Sequence, residues 1–135
     1  MSETRVRRRV DVGRAILVAE GILLLLLGLA ALMTGNGTVV GFQVNQPHGI
    51  ALAVTGFVAL VVAATRRLVL PFAVLQFLVY GAAYLYGSNI QGQHTGDMWQ
   101  FNQADSWLHL GLAVVALVIG FAVAAARGAR QRHAK

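Results

Sequence analysis

Four apolar stretches alternate with short polar segments along this chain, at about residues 15–33, 48–65, 68–87 and 106–126. Each is near the roughly 20 residues that cross a hydrocarbon core as a helix. Lipid cannot satisfy free backbone groups, so the pattern predicts an all-α, four-helix transmembrane bundle. Gly35-Asn36-Gly37 stops the first helix and Gln46-Pro47 starts the second. Pro71 falls in the first turn of the third, where a missing amide proton costs little. The short Arg66-Arg67 turn predicts that helices 2 and 3 are antiparallel neighbours. Gly21 and Gly28, like Gly49 and Gly56, recur at seven-residue spacing, which sets each pair on one helix face. Such faces allow close backbone approach, either within the chain or at a homodimer seam.

Charge turns this pattern into a topology. The 11 basic residues occupy three places: Arg5 to Arg14, Arg66-Arg67, and Arg127 to Lys135. Loops 34–47 and 88–104 contain neither Lys nor Arg. Cationic loops stay on the cytoplasmic side, so both termini are expected inside and the two polar loops outside. Residues 1–14 and 127–135 are then cytoplasmic basic tails, and 15–126 is the membrane domain of a multi-pass protein of the cell membrane. The first span is expected to be retained, because its apolar core is longer than the h-region of a signal peptide. A net charge of +6 would ordinarily raise nucleic acid as a partner. Here the cations flank the spans and match anionic headgroups, leaving no domain to hold nucleic acid. With no cysteine there is no disulfide, thiolate site or cysteine nucleophile. At the outer ends, Trp99, Phe101 and Trp107 beside helix 4, and Tyr84 and Tyr86 on helix 3, read as an interfacial belt.

A shift of 57 residues lays Asn45-Gln46-Pro47-His48 over Asn102-Gln103-Ala104-Asp105, and helices 1 and 2 over helices 3 and 4. Each motif opens an even-numbered helix, so a tandem duplication of a two-helix hairpin is expected, its axis along the membrane normal. Reuse of Asn and Asp as helix caps is the alternative source of the likeness. The run Phe42-Gln43-Val44-Asn45-Gln46-Pro47-His48, with Asn102-x-x-Asp105-x-Trp107-Leu108-His109, resembles an uncharacterised bacterial four-helix membrane family, domain of unknown function 4383. The resemblance covers about residues 12–126 and implies the fold and topology but no activity. That family usually carries a second histidine four residues after the first, where this chain has Leu52.

Two groups of residues could carry chemistry. Glu20 lies about six residues, roughly 9 Å, into helix 1. An ionisable group in the membrane is costly and should face the bundle, paired or protonated. Gln76 lies at comparable depth on helix 3, so the pair is either an interhelical lock or part of a proton or cation relay. The second group is His48, His94, Asp97, Asp105 and His109 at the outer face. Asp105 and His109 are four apart and share a helix face. With His48 they form a His-Asp-His set suited to zinc or copper, one position remaining for water. Haem fits less well, since His48 and His109 sit at one membrane end. The same residues are explained without metal if Asp105 caps helix 4, His109 bonds Asp105 or an opposing helix start, and His48 satisfies the outer loop. The sequence demands no cofactor. It lacks any nucleophile–base pair or phosphate-binding loop. A non-enzymatic accessory or assembly partner of another membrane protein, or of itself, is the leading expectation. The alternative is a small carrier or metal protein, which needs a polar path through Thr55, Gln76 and Tyr80 to Glu20.

Overall fold

The computed structural model describes residues 3–90, 98, 99 and 101–133. Four helices carry the fold: α1 Glu3–Thr34, α2 Gln46–Ala64, α3 Val69–Ile90 and α4 Gln103–His133. All four contain a segment long and apolar enough to cross a membrane. The outer helices run on through the basic flanks: α1 begins at Glu3 and α4 continues to His133. Arginine is a good helix former, so helices nucleated in an apolar span propagate into the flanking basic turns.

Loop 34–47 holds an unexpected β-hairpin, β1 Gly37–Val39 and β2 Phe42–Val44. The strands are antiparallel, with Gly37 opposite Val44, Thr38 opposite Gln43 and Val39 opposite Phe42. Val40 and Gly41, both at positive φ (50° and 88°), make the two-residue turn. This backbone matches the twist of a tight hairpin. A β-branched residue is costly there, and Val40 is exposed, so the paired strands on either side hold its backbone against its own preference.

Packing follows the glycine faces. α1 lies along α2 and α3 along α4, and α1 crosses α4 to join the two pairs. α2 and α3 scarcely touch, against the expectation that their short turn would make them neighbours. A two-residue link constrains only the ends it joins, whereas small residues decide where backbones can close up. The would-be Cβ of Gly21 lies 3.0 Å from the Gly56 carbonyl oxygen, and that of Gly49 lies 3.0 Å from the Ala31 Cβ. At Gly28 and Gly56 a Cβ would run into the backbones of Ala53 and Leu25. These glycine faces therefore seat α1 on α2 within one chain.

The arginines gather at one end of the bundle. Arg14 Nε donates to the Ala63 carbonyl (2.7 Å), and Arg66 pairs with Asp11 (3.1 Å). Arg127 donates to the Arg67 carbonyl (3.1 Å). The hairpin occupies the opposite end.

Candidate functional site

At the hairpin end the starts of α2 and α4 are built alike. Asn45, in extended conformation, caps α2: its Oδ1 accepts from His48 N (3.0 Å), and Pro47 sits in the first turn. Asn102 Oδ1 accepts from Asp105 N (2.9 Å), and Asp105 Oδ2 accepts in return from Asn102 N (2.9 Å). This reciprocal pair is a capping box, satisfying amides that the first helical turn leaves open. The same carboxyl oxygen accepts from Gln43 N (3.2 Å), which ties α4 to the hairpin 62 positions earlier. Asn102 Nδ2 donates to Gly41 O (2.9 Å), and Asn45 Nδ2 donates to Met98 O.

Gln43 explains how the hairpin reaches the helices. It stands opposite Thr38, one position in from the closing pair, where an antiparallel ladder turns backbone groups outward. Its amide goes to Asp105, and its carbonyl lies 3.0 Å from His48 Nδ1. A carbonyl only accepts, so His48 carries its proton on Nδ1, and its Nε2 offers a lone pair.

His48 and His109 are each only 2% exposed, and their ring centroids are 5.9 Å apart. Thus α4 supplies a second imidazole near the first. Phe101 lies edge-on to both, 4.5 Å from His109 and 5.0 Å from His48. Tyr80 stacks on His109 at 5.6 Å. The belt expected here is therefore divided. Trp107 is exposed, while Phe101 is buried as a plug against both imidazoles. Trp99 stacks on Phe101 at 6.1 Å.

Four buried atoms have no hydrogen-bond partner among the described residues: His48 Nε2, His109 Nδ1, Asp105 Oδ1 and Glu20 Oε2. The first three belong to the expected His-Asp-His set. Among the described residues, however, no three histidine or acidic side chains converge as metal ligands. Asp105 is turned toward the Asn102 and Gln43 amides instead. His94 and Asp97 lie outside the described residues.

Beside the imidazoles, a cavity of about 320 Å³ occupies the gap between α2 and α3. Ala51, Leu52 and Thr55 line it from α2, and Val79, Tyr80, Ala82, Ala83 and Tyr86 from α3. His48, His109, Phe101 and Trp99 complete it. Sequence reasoning missed this cavity, because it arises from two helices that part rather than from any motif. Thr55 and Tyr80 line the gap from opposite sides, and Thr55 Oγ1 donates to Ala51 O (2.8 Å) on its own helix.

Deeper in the bundle Gln76 Nε2 donates to Glu20 Oε1 and faces Leu112 O at 3.5 Å. Both side chains are buried. An apolar cluster that includes Leu24, Leu52 and Leu112 lies around Tyr80. A second, with Leu17, Val62, Val69, Ile119 and Val123, fills the arginine half of the bundle.

No curated protein and no solved structure matches the chain. The family model described as "Domain of unknown function (DUF4383)" matches residues 14–122, taking in both capped helix starts, Glu20 and Gln76, and by that match the chain belongs to this family.

Proposed function

We propose that this is a non-enzymatic accessory or assembly partner in the cell membrane, with the hairpin end outside and both termini cytoplasmic. The observation that carries this reading is where the polar groups go. At the hairpin end Asn45, Asn102, Asp105 and His48 spend their hydrogen bonds on helix starts and loop backbone. Beyond Glu20 the interior toward the arginine end is apolar, so no chain of polar groups continues from Glu20 through the described core. A carrier or proton relay needs such a chain. The exposed faces, with Phe57, Leu75 and Phe121, suit lipid or a partner's helices.

Burial supports an origin by duplication. Shifted by 57, the buried His48, Gly49, Leu52, Gly56, Ala59 and Val62 fall on Asp105, Ser106, His109, Ala113, Ala116 and Ile119, all buried. Shifted by 56, Leu17, Glu20, Leu24 and Ala31 fall on Ala73, Gln76, Tyr80 and Gly87, also buried. The second hairpin thus has one extra residue between its helices. Glu20 and Gln76 become the same position in two repeats, bonded to each other across the pseudo-twofold axis.

The functional test is reconstitution into liposomes under a proton or potassium gradient. We expect no leak above empty vesicles and no bound zinc or copper by elemental analysis. A flux abolished by Glu20→Gln, or stoichiometric metal lost in His109→Ala, would overturn the accessory reading in favour of a carrier or metal protein. Orientation has its own test, made simple by the absence of cysteine. In intact cells Thr38→Cys is expected to react with an impermeant maleimide and Gln131→Cys only after lysis. The reverse pattern would invert the topology.

A further inference from the structure

A second cavity, of about 230 Å³, lies on the outside of the bundle between α3 and α4. Its floor is made of small residues, Ala73 on α3 and Ala116 and Gly120 on α4. A would-be Cβ at Gly120 meets only the Ala73 Cβ, at 3.9 Å, so the two helices leave a furrow between them. Val74, Leu117 and Phe121 stand exposed along its rims. The α4 wall, from Ala116 to Ala124, gives it a length of about 12 Å, and no polar side chain lines it.

An apolar furrow alone would suit any chain or helix in a bilayer. What distinguishes this one is its arginine end. Leu70 and Ala124 close its two walls there, and Arg67 and Arg127 follow about a turn beyond each. Arg127 Nη2 donates to the Arg67 carbonyl (3.1 Å), which brings the two positions together across the end of the furrow. Both side chains are exposed. Beside α1 the cations are matched, since Asp11 Oδ1 pairs with Arg66 at 3.1 Å and Arg14 at 3.7 Å. Among the described residues neither Arg67 nor Arg127 has such a carboxylate. Arg127 spends one N–H on the carbonyl, and its remaining guanidinium donors match the oxygens of a phosphate. Cations at the end of an apolar furrow between spanning helices complement a lipid with an anionic headgroup. A second copy of the chain complements them poorly. Among the described side chains at that end the one acid is Asp11, which Arg14 and Arg66 already occupy.

We propose that this furrow holds an anionic phospholipid of the leaflet at the arginine end, its phosphate at Arg67 and Arg127 and one acyl chain lying over Ala73, Ala116 and Gly120. A zwitterionic lipid brings the same chain, but its ammonium group opposes the arginines. The site requires spanning helices and neither orientation of the termini. No bond is made or broken on binding.

The test is native mass spectrometry of the full chain from mild detergent, titrated with dioleoyl phosphatidylglycerol or dioleoyl phosphatidylcholine. The first phosphatidylglycerol should bind at about tenfold lower concentration than the first phosphatidylcholine, as two cations beside the headgroup predict. The double variant Arg67→Gln, Arg127→Gln should bring the two lipids level. Arg67→Gln alone keeps the carbonyl that holds Arg127 and should remove part of the preference, so it decides the matter if the double variant fails to fold. Arg5→Gln with Arg8→Gln removes the same charge from exposed positions on α1 and should leave the preference intact. Gly120→Leu fills the furrow without changing charge and should weaken the first binding of both lipids. No preference in the parent protein would overturn the proposal, as would a first binding that Gly120→Leu leaves unchanged. Equal loss in the two double variants would overturn it by showing attraction to net charge only. A dimer that Gly120→Leu dissociates would give the furrow to a second copy and overturn it too.

Discussion

Gly56→Leu is expected to leave little folded protein, whereas Gly111→Leu should be tolerated. Both glycines lie inside helices, so intrinsic propensity favours either replacement by about 0.5–1 kcal/mol. Their surroundings differ. A Cβ at Gly111 meets nothing within 4 Å, while one at Gly56 runs into the Leu25 backbone on α1. Backbone cannot rotate aside as a side chain does, so α1 and α2 must move apart along their length. Overpacking a site with flexible neighbours already costs about 1–3 kcal/mol. Here the cost should exceed that range, because separation also forfeits the contacts of Gly21, Gly28 and Gly49. Size-exclusion profile and thermal unfolding in one detergent give the comparison. Equal behaviour of the two variants would mean that α1 and α2 do not approach as described.

That contrast marks what the sequence could and could not reveal. The spans were legible because runs of apolar residues near bilayer length have few other uses. The glycine spacing identified close-packing faces, but a face does not name its partner. Chain connectivity suggested α2 against α3, and packing instead set α1 against α2, which opened the cavity. The hairpin was hidden because its turn is Val40-Gly41 rather than Asn-Gly, and Val40 at φ 50° contradicts its local preference. Helix caps were readable from Asn-x-x-Asp, since capping acts within four residues. The Asp105 bond to Gln43 was not, since it spans 62 positions. Phe101 was misjudged for a related reason: beside Trp99 and Trp107 it has the composition of an interfacial belt, and only the meeting of His48 with His109 makes it a plug. Glu20 and Gln76 could be placed at equal depth by counting residues along helices. Their hydrogen bond depends on how the two hairpins face each other.

Asp105→Ala should be the most damaging change at the hairpin end, lowering unfolding free energy by about 3 kcal/mol through two bonds to a carboxyl. Asp105 is fully buried, and its Oδ2 holds two amides from distant parts of the chain, Asn102 N and Gln43 N. Alanine leaves both donors without their acceptor and removes the link between α4 and β2. Asp105→Asn keeps one carbonyl oxygen that can take the Oδ2 place, so its loss should be about half as large. Denaturation in detergent would rank the two, with exposed Trp107→Ala as a near-neutral control. Hydrogen exchange separates a local role from general destabilisation. In Asp105→Ala the Gln43 and Asn102 amides should exchange faster than those in the middle of α4. If protection there survives, the carboxyl does not hold the hairpin. Release of Gln43 has a further consequence, since its carbonyl orients the His48 ring. Asp105→Ala should therefore also loosen the His48 ring, although Asp105 itself does not line the cavity beside that ring.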